Sequence, residues 1–170
     1  MRTQQEIMNT IHDYAKLHET IRVVTLEGSR TNVNVPKDEF QDYDITFFLT
    51  DMNSFLSNEE WLAHFGEILI MQNPEDMVLF PSEEKGFSYL MMFDDYVKMD
   101  LTLLPVEEWN DYVQHEHLVE VLLDKDDIVK GSVVASDREF HVKKPAAREF
   151  DDCCNEFWWV STYVVKGLCR

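Results

Sequence analysis

The chain is short of positive charge: 15 Lys and Arg stand against 33 Asp and Glu, a formal net charge of −18 over 170 residues. A surface this negative repels phosphate backbones, so no nucleic acid partner is expected. It steers small polycations inward instead. Long apolar runs are also missing. No stretch approaches the roughly 20 consecutive apolar residues of a membrane helix, and Met1-Arg2-Thr3-Gln4-Gln5-Glu6 lacks the apolar region of a secretory signal. We expect a soluble, cytoplasmic protein with no membrane partner. Only three cysteines occur, Cys153, Cys154 and Cys169. Adjacent cysteines seldom pair, and an odd count does not support a secreted disulfide framework. Glycine is scarce at five residues, and neither a Walker A loop nor a Gly-x-Gly-x-x-Gly is present.

What is there is apolar and aromatic. With 45% hydrophobic residues and 11 Phe, the chain can bury a core without staples. Thr3 and Glu6 form a capping-box signature, and Ile7, Ile11, Tyr14, Ala15 and His18 recur at helical spacing, which predicts a helix over 4–19. Residues 21–27 read as a strand closed by Gly28, and 42–50 as a second, alternating strand. Asn58 is expected to cap a helix over 59–70 with Trp61, Leu62, Phe65 and Leu69 on its buried stripe. Pro74 and Pro81 mark a loop, and Glu83-Glu84-Lys85 a solvated turn. Residues 87–93 and 96–104 read as two strands, 105–112 as a short helix, and 118–123 with 128–129 as segments flanking the charged turn 124–127. Residues 146–168 form a helix that is apolar all round, and such a helix needs partners on several sides.

The chemistry begins at Gly28-Ser29, where a strand ends. Glycine lets backbone approach a phosphate, Ser29 adds a hydroxyl, and Arg30 offers a guanidinium to a triphosphate. Alone, this pattern is ordinary. Asp42-x-Asp44 is stronger, because side chains at i and i+2 on a strand share a face. Two converging carboxylates raise each other's pKa unless a cation lies between them, and Mg²⁺ accepts such oxygens. Asp100 interrupts an apolar strand, with Met99, Leu101 and Leu103 on one face and Lys98, Asp100 and Thr102 on the other. An acid there must meet water, a partner or a metal. If its strand lies beside that of Asp42, three carboxylates meet in a geometry suited to two-metal phosphoryl transfer. His115 and His117 lack a third ligand nearby, so a zinc site is not expected.

The order Gly-Ser, then Asp-x-Asp, then a later Asp resembles the polymerase β-like nucleotidyltransferase superfamily. Gly28-Ser29-Arg30-Thr31-Asn32, Asp42-Tyr43-Asp44-Ile45, Met99-Asp100-Leu101-Thr102-Leu103 and the stretch Phe150-Asp151-Asp152-Cys153-Cys154-Asn155-Glu156-Phe157-Trp158-Trp159 look like the aminoglycoside 6-adenylyltransferases. The likeness runs along essentially the whole chain.

The resemblance implies an α+β fold, a mixed sheet with helices packed on it. It implies a nucleotidyltransferase catalytic domain over 1–143 and, over 144–170, the first helix of a C-terminal helical domain. It also implies AMP transfer from ATP to a hydroxyl of an aminoglycoside such as streptomycin. Asp42, Asp44 and Asp100 would be both metal ligands for Mg²⁺ and catalytic groups, while Gly28, Ser29, Arg30 and Lys166 would hold the nucleotide. The acidic charge would concentrate a cationic antibiotic. A different acceptor, such as a lincosamide or a protein hydroxyl, and a non-catalytic binding role are the competing expectations. The apolar helix over 146–168 leads us to expect a homodimer through Phe157, Trp158 and Val164.

Overall fold

The computed structural model describes residues 2–79 and 85–170. The chain divides into two units, Met1–Glu139 and Phe140–Arg170. Pro81, Glu83 and Glu84, expected in a loop and a solvated turn, lie outside the described residues.

In the first unit, helix α1 (Gln4–Leu17) opens on the expected capping box, in which the Glu6 amide donates to Thr3 Oγ1 and the Thr3 amide to Glu6 Oε2. Six strands follow in one sheet: β1 (Ile21–Glu27), β2 (Tyr43–Leu49), β3 (Ile68–Gln72), β4 (Phe87–Phe93), β5 (Lys98–Pro105) and β6 (Val119–Asp124). Their spatial order is β3-β4-β5-β2-β1-β6. Every neighbouring pair is antiparallel except β2 with β5, so the architecture is α+β with a mixed sheet. Helices α2 (Asn53–Leu56) and α3 (Trp109–His115) complete the unit.

Strand alternation gives the sheet two unlike faces. On one, Ile45, Phe47 and Leu49 of β2 and Met99, Leu101 and Leu103 of β5 pack with Ile7, Ile11 and Tyr14 of α1 in the larger core. On the other, Val23, Phe48, Leu104 and Trp109 form a smaller cluster that anchors α3. Phe48 meets Trp109 and Tyr112 edge-on, with ring centroids 5.2 and 5.0 Å apart. Because this small core covers only one end of its face, the rest of that face is left for chemistry.

Residues 59–70 do not form the expected helix. Glu60–Phe65 is a 3₁₀ turn, Gly66 breaks it at φ +142°, and Ile68–Gln72 is an edge strand paired with β4. The Trp61, Leu62 and Phe65 spacing is helical for little more than one turn. Beyond the glycine, the apolar run Ile68-Leu69-Ile70-Met71 pairs as a strand, and Leu69, expected to be buried, is 53% exposed. Residues 128–129 flank the charged turn as expected, without regular structure. Their amides donate to the Asp124 carboxylate at 3.1 and 2.9 Å, so one acid shapes the whole turn.

The second unit contains α4 (Ala147–Leu168), whose apolar residues Phe157, Trp158, Trp159 and Val164 are exposed. Within the helix Phe157 and Trp158 meet edge-on, and Trp159 Nε1 donates to Tyr163 Oη at 3.2 Å. Among the described residues no helix is long and apolar enough to cross a membrane.

Arg2 ties three segments of the first unit together. Its backbone amide and its Nε donate to Asp95 Oδ2 at 2.8 and 2.9 Å, and its Nη1 donates to the Phe65 carbonyl. These Arg2 bonds, with a lesser one from the Val97 amide, hold the Asp95 carboxyl far below the usual carboxylate range. Asp95→Ala is therefore expected to lower unfolding free energy by about 1–3 kcal/mol in urea titrations. Since the folded pKa is depressed, the wild-type advantage is fully present above the unfolded value near ~3.9 and disappears as pH falls toward the folded value. Equal stability of the two proteins at neutral pH would refute this role.

Candidate active site

The site lies where β1 ends and β2 and β5 begin. Asp44 and Asp100 are directly paired across the parallel β2–β5 ladder, and Asp44 is paired with Glu27 across β1–β2. Asp42, Asp44 and Asp100 can each offer an oxygen such that all three lie within 4.8 Å of one another. Among the described residues this is the group of three or more acidic, His or Cys side chains that has the spacing to hold a metal ion. Burial, followed by the charges of Asp42 and Asp100, pushes the Asp44 carboxyl up to about 6. Asp100 Oδ1 is buried without a hydrogen-bond partner. An orphaned carboxylate oxygen among crowded acids is what a divalent cation would satisfy, so the donor set fits Mg²⁺.

Gly28 is the hinge of this arrangement. Its φ is +68°, and a Cβ at this position would stand 2.4 Å from Asp44 Oδ2. Only glycine lets the chain turn here without striking the carboxylate. The turn is fixed by the Gly28 amide donating to the Leu118 carbonyl at 2.9 Å and by Thr31 Oγ1 donating to the Gly28 carbonyl, also at 2.9 Å. Ser29 follows at the surface of the same turn, and its carbonyl accepts from Gln41 Nε2 at 3.1 Å.

Two expected nucleotide contacts have partners of their own in this structure. Arg30 is bonded to the backbone around Asp42. Its Nε donates to the Asp42 carbonyl at 2.7 Å, its Nη2 donates to the Gln41 carbonyl, and its guanidinium carbon lies 3.7 Å from the Tyr43 ring centroid. A guanidinium held by two carbonyls and an aromatic face acts as a clamp on the backbone that presents Asp42. Lys166 belongs to α4 in the second unit, with Nζ 5.3 Å from the Tyr163 ring centroid. His115, outside the helix expected over 105–112, ends α3.

Sequence reasoning missed Lys98 and Glu27 as members of the site. Lys98 Nζ lies 2.8 Å from Asp42 Oδ2 and 2.7 Å from Asp100 Oδ2. Burial pulls its pKa down, but the hydrogen bonds to Asp100 and Asp42 outweigh this and hold it above the ordinary lysine value. Glu27 Oε1 accepts from Tyr112 Oη at 2.6 Å and from Thr25 Oγ1, and burial raises its carboxyl to about 7. The available signals were the polar phase Thr25-x-Glu27 on an otherwise apolar strand and Lys98-x-Asp100 on another.

The sheet face reads as three rows. Val23, Phe48 and Leu104 are apolar; Thr25, Thr46, Thr102 and Ser88 carry hydroxyls; Glu27, Asp44 and Asp100 carry carboxylates. A cleft of about 560 Å³ lies over the middle row, lined by Glu27, Thr46 and Thr102 and by Lys85, Glu108, Asp111, Tyr112, His115 and Glu116. Lys85 pairs with Glu108 and Asp111 at 2.7 and 3.2 Å, so the acids of this lining outside those ion pairs are Glu27 and Glu116.

The chain is similar to known proteins along its whole length. An aminoglycoside 6-adenylyltransferase of Campylobacter jejuni is 58% identical over 170 residues, spanning all of this chain and 59% of the relative. Those of Bacillus subtilis (strain 168) and Staphylococcus aureus are 56% and 49% identical over 172 residues, spanning all of this chain and 61% of each. The chain therefore spans about three fifths of the length of these curated relatives. The crystal structure of an aminoglycoside 6-adenyltransferase from Bacillus subtilis superposes with a TM-score of 0.64 at 50% identity, covering all of this chain and 58% of that one. The streptomycin adenylyltransferase family profile matches residues 1–170, and the chain belongs to that family.

Proposed function

We propose that the chain carries the machinery for Mg²⁺-dependent transfer of AMP from ATP to a hydroxyl of an aminoglycoside such as streptomycin. The observation that carries this reading is the convergence of Asp42, Asp44 and Asp100 within 4.8 Å beside the Gly28 turn. The nucleotide co-substrate follows from family membership; the metal and the acceptor are inferred. Asp42, Asp44 and Asp100 would hold Mg²⁺, which supplies charge neutralisation at the transferring phosphoryl group. Gly28 and Ser29 receive the β- and γ-phosphates, Arg30 keeps Asp42 in place, and Lys166 is assigned to the phosphates by its charge. The acceptor hydroxyl attacks the α-phosphorus, its proton passes to Asp100, and the bond to the bridging oxygen breaks to release pyrophosphate. The acidic cleft beside the carboxylates orients the cationic acceptor, and a cytoplasmic location supplies the ATP.

Residues 1–143 form the catalytic domain in this reading, and 144–170 begin a helical one. Exposed Phe157, Trp158 and Val164 supply the contact of a homodimer. Sedimentation of the wild type should show a dimer, and Trp158→Ala with Val164→Ser should shift it toward monomer. A wild-type monomer at high concentration would remove the dimer from the proposal.

Mg·ATP should raise the melting temperature, by mass action, with about 2.7 kcal/mol of stabilisation at ~100 Kd. Gly28→Ala should abolish that shift, because its Cβ strikes Asp44. A shift that survives in the variant would place the nucleotide elsewhere.

The decisive experiment is AMP transfer from labelled ATP across a panel of aminoglycosides, a lincosamide and a protein acceptor. Streptomycin should be labelled, and Asp100→Asn should cut the rate by roughly 10³-fold, in the range of lost transition-state electrostatics. Labelling only of another acceptor would keep the nucleotidyltransferase and change its substrate. No labelling of any acceptor, with Mg·ATP bound, would leave a binding protein.

A further inference from the structure

Lys98 is drawn into the carboxylate group in a way a structural salt bridge does not explain. It stands on β5 two residues ahead of Asp100 and on the same sheet face, and its ammonium bridges Asp42 Oδ2 and Asp100 Oδ2 at 2.8 and 2.7 Å. One positive charge serves three acids. Asp100 Oδ1 is still without a partner. A lysine present only to stabilise the fold would leave that oxygen covered.

A divalent cation held by Asp42 and Asp100 needs those oxygens at about 2.0–2.1 Å for Mg²⁺. A cation that draws on Asp42 Oδ2 and Asp100 Oδ2 would fill the space of the ammonium that already bridges them, so at those two oxygens the two cations exclude each other. We propose that Lys98 and the divalent cation are alternative occupants of one position, and that Lys98 turns to the phosphates of the nucleotide when the cation enters. This rests on the reading that the three aspartates hold a divalent cation.

The second half follows from charge and reach. The Lys98 side chain is 42% exposed, and its four-carbon stem can swing while its backbone stays fixed in β5. Once displaced by a dication, its charge needs a new anion. A metal ion arriving alone offers none, whereas a metal ion arriving on a triphosphate brings several anionic oxygens. Lys98 thus opposes the bare cation and favours the cation–nucleotide complex, which couples the two ligands.

The test is Mn²⁺ binding to the whole chain, followed by electron paramagnetic resonance, with and without α,β-methylene-ATP. Lys98→Met should bind Mn²⁺ alone about tenfold more tightly, as expected for losing a charge-assisted competitor. The same variant should bind the Mn²⁺–nucleotide complex more weakly than wild type, and Lys98→Arg should restore much of the difference. Opposite signs for the two ligands are something a merely structural lysine would not give. Unchanged or weaker binding of Mn²⁺ alone by Lys98→Met overturns the proposal. Wild-type protein that binds no Mn²⁺ under either condition would instead overturn the metal reading beneath it. Should Lys98→Met fail to fold, the wild type still decides. Acetylation of Lys98 by acetic anhydride, read by mass spectrometry, should speed up when Mn²⁺ alone is added and slow again when the nucleotide follows. A labelling rate indifferent to both ligands counts against the exchange.

Discussion

The parallel, in-register pairing of β2 with β5 is the constraint on which the site depends. It sets Asp44 beside Asp100 and leaves Asp42 one step away. Two unit charges 4.8 Å apart repel by about 3.5 kcal/mol at an effective dielectric of ~20, before Lys98 and water screen them. On that face Lys98 offsets only part of such a cost, as one positive charge among three acids. The opposite face offsets the rest, because Ile45, Phe47, Met99, Leu101 and Leu103 are buried against α1 with 0 or 1% exposure. Each such side chain contributes about 1.5–3 kcal/mol on burial. The strand pair is held by one face so that the other can carry mutually repelling acids.

Alternation turns this into a graded surface. Moving along the strands toward the Gly28 turn, the same face passes from Val23, Phe48 and Leu104 through four hydroxyls to the carboxylates. The apolar row anchors α3, and α3 brings Tyr112 to Glu27. Aromatic packing on Phe48 therefore fixes a wall of the cleft. A one-residue slip of β2 would bury Asp44 in the larger core and expose Phe47, so register and function are enforced by the same residues.

How much of this was legible follows from how local each signal is. Asp42, Asp44 and Asp100 could be read from phase alone, since i and i+2 on a strand share a face whatever the neighbour. The strands over 21–27 and 87–93 were bounded by turns and β-branched or aromatic residues, and they form as expected. The stretch 59–70 was not legible, because Trp61, Leu62 and Phe65 satisfy a helical period for one turn and the pairing of Ile68–Gln72 depends on a strand twenty residues later. The Lys98 and Glu27 partnerships were hidden for a related reason. Lys98–Asp42 spans 56 positions and Tyr112–Glu27 spans 85, so neither exists until the sheet order is known. The partners of Arg30 were not legible, because a guanidinium beside Gly-Ser suits a phosphate as well as two carbonyls and a tyrosine ring, and the sequence does not rank them.

The electrostatics of the whole chain bear on the order of events at the proposed site. A protein of net charge −18 repels an ATP polyanion and attracts a polycationic acceptor, and the acidic cleft repeats that bias locally. Free ATP is thus the disfavoured visitor, and a divalent cation reverses its disadvantage by neutralising the phosphates and the aspartates together. Under the proposed exchange Lys98 would sharpen the same bias, yielding its carboxylates most readily when anionic oxygens arrive with the metal. Arg30 stands on the same turn, with its Nε and Nη2 directed at the Asp42 and Gln41 carbonyls. In the proposed reaction such a site would select nucleotide that comes already paired with its cation, while the acids around it would draw in a cationic acceptor.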